Sequence, residues 1–450
     1  MFNKILILLV AFFGTSAIAQ NTIHSPYSSY GFGEKTYSVD AISLSLGTAT
    51  NAYVDSTIVN FSNPASYNSY SKGFPLFSLG LRSRVSFFKQ DDLTQLNAVA
   101  MVDHFVMAIP VKKYFGFAVG LRPFSRRGYQ IVDGERAGAD TLRYVYQGGG
   151  GANEVFVGFS STIFNLKKTG SELSFGANMG YLFGNVYNSR KSNIVNEEIG
   201  GAEETSLRFQ SFHYEIGAYF KQNIGKFNSF SLSAVVEPSQ KINAFQSKTL
   251  YYASNIENQN SYVALYDTSN VKGYLNLAPS YTIGFSYSLK TKFTNKKMQE
   301  HNGEFKFFAS FTSSDWTRFS ENFNGSTVNH NFTVTNKVAV GLQFNPEYKL
   351  EENKVNTSFL ASLRYRAGYY FYNLPYSSSN GNFKEQAVTF GFGIPLAAQK
   401  VLSSVNLGFA LGMRNDGATT GYQEKFIGIN LGVIIAPSNF DMWFRKRKLD

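Results

Sequence analysis

The 450-residue chain has no cysteine. It therefore carries no disulfide frame, no thiolate metal site and no lipidated cysteine behind an export signal. Charge is scarce too: Asp, Glu, Lys and Arg make up 16% of the chain, against about 25% in an average soluble domain. Beyond the N-terminus no apolar run reaches the ~18 residues of a membrane helix, so a helical membrane protein is excluded. What is abundant is 43 Phe, 28 Tyr and 39 Gly. Aromatics at that density exclude a disordered chain and point to a large β-protein.

The N-terminus places that protein outside the cytoplasm. Lys4 forms a short positive region, Ile5 to Phe13 an apolar one, and Ala17-Ile18-Ala19 a small-residue cleavage site. Residues 1–19 read as a signal peptide, with the mature chain starting at Gln20. An exported chain without cysteine suits the bacterial envelope. There the net charge of +11 does not imply nucleic acid as a partner.

From about residue 75 the chain alternates. Leu173, Phe175, Ala177, Met179, Tyr181 and Phe183 interleave with Ser174, Gly176, Asn178, Gly180 and Gly184. Val271 to Leu289, Phe332 to Phe344 and Phe359 to Phe371 repeat the pattern. A period of two gives each strand one apolar face and one polar or small face. The segments run longer than the five or six residues of a soluble strand. They match the ~9–11 residues with which a tilted strand crosses a bilayer. Fourteen such segments are expected, near 77–88, 99–110, 114–126, 153–164, 171–187, 207–222, 228–238, 273–289, 304–316, 331–346, 355–372, 383–396, 401–414 and 422–436. The expected fold is all-β, a 14-stranded antiparallel transmembrane barrel of the outer membrane over residues 76–437.

Connections alternate in length as such barrels require, with short periplasmic turns and longer extracellular loops. Residues 127–152, 188–206, 239–272 and 317–330 are expected as long polar loops. Gly148 to Gly151, a glycine run with no following Lys to make a P-loop, reads as part of one of them. Lys112, Lys113, Lys167, Lys168, Lys226, Lys292, Lys296, Lys297, Lys349, Lys354 and Lys400 gather on the short-turn side. Arg445 to Lys448 join them in a basic tail over 438–450. Such a rim suits an acidic periplasmic or envelope protein, lipid headgroups of the outer membrane, or simple solubility.

Residues 20–75 do not alternate. A lumen walled by fourteen strands is too wide for strand side chains to fill, so this segment is expected inside it as a plug. It contains Gly47-Thr48-Ala49-Thr50-Asn51-Ala52, Asp55-Ser56-Thr57 and Asn60-Phe61-Ser62-Asn63-Pro64-Ala65. In these motifs the chain resembles the FadL family of outer-membrane transporters for hydrophobic compounds, whose N-terminal hatch has a small-residue segment, an Asp-Ser pair and an Asn-Pro-Ala motif. Ser314-Asp315-Trp316-Thr317-Arg318-Phe319 and Leu363 to Tyr369, followed by Leu374-Pro375-Tyr376, are similar to further family segments. Ser25 to Gly33 and Asp441 to Lys446 look like the start and end of Bacteroidota members.

The resemblance implies uptake of a hydrophobic small molecule, of the long-chain fatty acid or aromatic hydrocarbon type. Passage would be by hatch-gated diffusion with lateral exit into the bilayer. Asn63, Pro64 and Ala65 are then the gating turn, and Gly120 and Pro123 the kink in the third strand that opens the wall. Pro123 breaks a ladder by its own chemistry, so residues 118–124 are expected to lack a complete one. Some FadL-like barrels serve instead as non-transporting partner subunits of an envelope complex such as the type IX secretion system, and that alternative stays open. Arg82, Arg84, Arg122, Arg364, Arg366 and Arg414 fall on polar faces and are expected in the lumen. They would bind an anionic headgroup or pair with acids there. The histidines, His24, His104, His213, His301 and His330, show no metal-ligand spacing, and no G-x-S-x-G elbow occurs. Neither enzyme activity nor a cofactor is expected.

Overall fold

A computed structural model describes residues 25–36, 39–70, 75–90, 92–112, 114–138, 140–166, 169–195, 197–294, 300–346, 359–378, 381–396, 403–417 and 422–436. The expected signal peptide and basic tail lie outside them, as does most of the basic rim, of which Lys226 is described and exposed.

Fourteen antiparallel strands form the wall. They are β1 (Leu76–Gln90), β2 (Leu93–Lys112), β3 (Phe115–Ala137), β4 (Asp140–Leu166), β5 (Ser171–Ile194) and β6 (Gly200–Ile224). Next come β7 (Asn228–Glu237 and Gln240–Ala253), β8 (Tyr262–Leu277 and Ser280–Thr294), β9 (Glu300–Asp315) and β10 (Val334–Asn345). The last four are β11 (Arg364–Ser378), β12 (Gly381–Pro395), β13 (Ser404–Asn415) and β14 (Gln423–Ile435). Pairing of β14 with β1, from Gln423–Lys89 to Ile435–Phe77, closes the barrel. Alternation sets the two faces: Phe175, Met179, Tyr181 and Phe183 of β5 are exposed on the outside, while Gly176, Asn178, Gly180 and Leu182 are buried inside. An apolar exterior round a polar lumen is the arrangement that lipid enforces.

Three of the four expected long loops are strand. β3–β4, β5–β6 and β7–β8 continue as tall hairpins, with rungs up to Ala137–Asp140, Asn193–Gly200 and Ala253–Tyr262. One face packs inward, with Val145, Ala253 and Ile256 buried together, but beyond the bilayer no lipid demands an apolar outer face, so hydropathy does not alternate and the strands are invisible to a period-two reading. Pro238 and Pro279 interrupt β7 and β8 where the wall passes into this projection. The glycine run lies within β4: Gly148 has the Tyr129 ring across the place of a Cβ on one face, and Gly149 the Tyr187 ring on the other. Residues 317–330 form an irregular connection, with a short hairpin (Ser320–Phe323, Ser326–Asn329) paired to β8.

Residues 25–70 sit inside the barrel. A short helix α1 (Ala41–Ser45) is capped by Asp40, whose carboxylate accepts from the Ser43 N–H at 2.7 Å. A 3-10 turn (Pro64–Ser69) follows near the short-turn end. Small residues of the wall admit this segment: Gly217 has Asn63 and Pro64 where its Cβ would be, and Gly116 has the Tyr67 carbonyl.

Candidate functional site

The six lumen arginines all point inward, and most are held by carboxylates. Arg122 Nε donates to Glu154 at 2.7 Å, and its Nη2 to Glu215 at 2.9 Å. His213 lies between Glu154 (2.7 Å) and Glu237 (2.8 Å), and Lys35 Nζ donates to Glu237 at 2.6 Å. This chain of charges links β3 to the N-terminal segment. A second network joins Arg84 to Glu424 at 2.8 Å and Arg414 to Glu385 and to Glu34, the last at 2.7 Å. Arg364 reaches Asp55 of the plug at 3.6 Å, whereas Arg366 donates to the neutral Gln343 (2.8 Å) and Asn406 (3.0 Å). Arg82 is paired with Asp103.

Asp103 and His104 are adjacent in sequence yet both face inward, because β2 bulges between its rungs to Gly80 and Leu81. A bulge adds one residue and so breaks the alternation. His104 Nδ1 lies 2.8 Å from Asp103, and its Nε2 2.8 Å from Ser78 Oγ. The spacing is that of a nucleophile, base and orienting acid. All three are at most 3% exposed, however, and the Phe61 ring of the plug covers His104 at 4.7 Å. A substrate cannot reach Ser78 there, and the trio ties β1 to β2 beneath the Phe61 ring.

Asn63 caps the 3-10 turn: its Oδ1 accepts from the Ala65 N–H at 3.0 Å, and its Nδ2 donates to the carbonyls of Asn51 (3.1 Å) and Ala218 (3.2 Å). The Asn-Pro-Ala turn is thus tied both to the plug and to β6. Gly120 is a rung partner of Val106, with the Phe156 ring against it. The β2–β3 ladder ends one residue later, at Phe105–Leu121. Residues 118–121 are therefore paired on both sides, and β3 beyond them parts from β2. Pro123, which has no N–H to donate, stands at that point, and the β3–β4 register slips between it and Ser125. Into the space come the rungs Glu34–Arg126 and Lys35–Ser125, with the Thr36 N–H donating to the Phe124 carbonyl at 2.8 Å.

Behind this parting lies a cavity of about 170 Å³. Val99 and Met101 of β2, residues 30–36, Trp316, Phe332, Lys337 and Tyr370 contribute to its wall. A second cavity of about 120 Å³, lined mainly by polar residues such as Ser43, Asn51, Ser62, Arg122 and Glu215, shares Val39, Thr48 and Lys337 with the first. Lys337, Glu34 and Lys35 were not singled out from the sequence. Lys337 alternates as a lumen residue of β10, which was the available signal, while Glu34 and Lys35 sit in a segment without periodicity.

A closed wall, an apolar exterior and an internal N-terminal segment define an outer-membrane β-barrel of the FadL type. The chain belongs to the BamG family, whose model it matches over residues 1–450. Among solved structures it is similar to a deltaS2S3 mutant of the TodX monoaromatic hydrocarbon channel, at 14% identity over 90% of this chain and 99% of that one, with a TM-score of 0.54. The Pseudomonas putida toluene transporter TodX gives 14%, 90%, 99% and 0.52, and a Pseudomonas aeruginosa FadL homologue 10%, 90%, 98% and 0.50. At these identities the likeness is one of fold. No curated protein matches the chain.

Proposed function

We propose that the protein passes small hydrophobic molecules across the outer membrane and releases them sideways, between β2 and β3. The observation that carries this reading is the ladder ending at Phe105–Leu121 with the cavity directly behind it. Val102 and Phe105 of β2 are exposed on the lipid side at this level, so a molecule leaving here enters hydrocarbon. The second cavity, which shares Val39, Thr48 and Lys337 with the first, is lined by the charged Arg122, Glu215 and Glu237, which disfavours onward passage of an apolar solute through it. The similar structures described as toluene or monoaromatic hydrocarbon channels support the same class of solute.

Lateral exit requires residues 30–36 to leave the edge of β3. Lys35 and Ser125 are directly opposed, and paired residues of antiparallel strands have Cα atoms about 4.5–5.5 Å apart, within disulfide range. A Lys35→Cys/Ser125→Cys variant, in a chain with no other cysteine, locks the segment when oxidised. Uptake of labelled toluene into cells should fall at least tenfold on oxidation and return on reduction. Equal uptake in both states would reject the lateral path.

A second reading, a partner subunit of an envelope complex, draws on a different observation. The projection above the barrel exposes Val132, Ile199, Val263 and Leu265 to solvent, Leu265 at 70%, where no lipid covers them.

A further inference from the structure

The β1–β2 ladder runs from Leu76–Ala108 up to Gln90–Leu93, whereas the β2–β3 ladder stops at Phe105–Leu121. Residues 93–104 of β2 therefore have a strand on one side only. Two residues separate Gln90 from Leu93, so that rung closes by direct bonding of the pair. Bonded and non-bonded pairs alternate from there, without a shift, to Leu81–Val102. Leu93, Gln95, Asn97, Val99 and Met101 thus bond β1, while Thr94, Leu96, Ala98, Ala100 and Val102 turn their N–H and C=O toward the split between β2 and β3. Among the described residues, none hydrogen-bonds these groups.

The opposite lip of the split is closed. Its β3 edge takes part of the N-terminal segment as an added strand, through Glu34–Arg126, Lys35–Ser125 and the Thr36 N–H on the Phe124 carbonyl. The β2 lip has no such cover, yet Val102 stands at the level of the lipid, where an open sheet edge does not persist. Its chemistry also differs from that of the other free edges. Above the split β3 carries Asp133, Glu135 and Arg136, and β8 is broken by register shifts at Ala264/Tyr266 and Thr268/Val271. Charges and bulges keep an edge from pairing. Residues 93–102 hold no charge, proline, glycine or bulge. Thr94, Leu96, Ala98, Ala100 and Val102 are all exposed, Leu96 at 63% and Val102 at 59%.

Backbone donors and acceptors repeating at every second residue are matched by another extended backbone, and by no lipid or small solute. A second copy of this chain does not fit. A two-fold along the membrane normal would make the lipid face of one β2 continuous with the lumen face of the other, and a two-fold in the membrane plane would invert one barrel. We propose that the β2 edge docks an extended strand of a second envelope protein, paired antiparallel with residues 94–102. That strand is uncharged, and its side chains beside Ala100 and Val102 on the lipid face are apolar, as on every wall strand. The contact goes beyond the transport reading and gives the partner reading an attachment separate from the projection.

Amide hydrogen exchange tests it, on outer-membrane vesicles from cells producing the protein and on the purified barrel reconstituted into lipids extracted from those vesicles. Exchange at Thr94, Leu96, Ala98, Ala100 and Val102 should be about tenfold slower in the native vesicles. Gln95, Asn97 and Val99, bonded to β1, should exchange alike in both. Equal rates in the two samples, whether both fast or both slowed by lipid alone, would overturn the proposal. Two variants carry the test to the complex, read by native mass spectrometry after gentle extraction. Ala98→Pro removes a donor that faces the split, and Ala98→Lys puts a charge on the edge; both leave the bonds to β1 in place. Each should lose the accompanying protein about tenfold relative to the parent, with heat-modifiable migration reporting a folded barrel. Should Ala98→Pro not fold, Ala98→Lys decides. An accompanying mass equal to that of the barrel would mean self-association and overturn the proposal. A complex that survives both Ala98 variants but dissociates when Val263 and Leu265 are replaced by Asp removes this edge and leaves the partner reading standing. The disulfide lock acts on the other lip and reads lateral exit independently.

Discussion

Arg122 shows how a charge is kept inside this barrel. It is 8% exposed and faces Glu154, Glu215 and the Phe61 carbonyl, so one guanidinium spans β3, β4, β6 and the plug. Removing one partner of a buried pair leaves the other desolvated and uncompensated, which costs about 3–5 kcal/mol. Arg122→Met should lower the denaturant midpoint of the detergent-solubilised barrel accordingly, and adding Glu154→Gln should recover part of the loss. An unchanged midpoint in the single variant would show that water reaches this network. The sequence marked Arg122 as a lumen residue because it falls on a polar strand face. It did not reveal Glu215 or His213, whose partners come from β3, β4 and β7, far apart along the chain.

At the scale of elements, the plug and wall fit because wall glycines replace side chains at the contacts. Gly217 of β6 has Asn63 Oδ1 and Pro64 where a Cβ would stand, whereas a Cβ at Gly428 of β14 would meet only Ala410 at an ordinary 3.5 Å. Gly217→Ala should therefore loosen the Asn-Pro-Ala turn, costing about 1–3 kcal/mol as overpacking does. Faster trypsin cleavage within residues 20–75 would report it, with Gly428→Ala cleaved like the parent. Equal cleavage rates in all three proteins would mean that this contact does not hold the plug. The strand ends were the part least legible beforehand. β3 to β8 run well past the expected boundaries because the alternation stops where lipid stops, not where the ladder does. The bulge at Asp103 and His104 was hidden for a related reason: two neighbouring residues on one face violate the very period used to find the strand.

For the whole molecule, the two functional readings differ in what accompanies the barrel. Native mass spectrometry of the protein extracted gently from its own membrane separates them. The transport reading expects a monomer able to retain a small aromatic molecule. The partner reading expects a stoichiometric complex, which should dissociate when Val263 and Leu265 on the projection are replaced by Asp. A monomer in every preparation would remove the partner reading.

The sequence by itself determined the wall: strand number, the apolar exterior, the polar lumen and the internal N-terminal segment. Lipid imposes one chemical rule on every residue it touches, so each strand carries that rule locally, at a period of two. The tertiary structure alone decided which charges meet, where the β2–β3 ladder stops and what the cavity behind it can hold. Glu34 and Arg414 lie 380 positions apart, and their contact exists only once the barrel has closed round the plug. Closure, register and bulges are properties of pairs of strands, and no single strand encodes them.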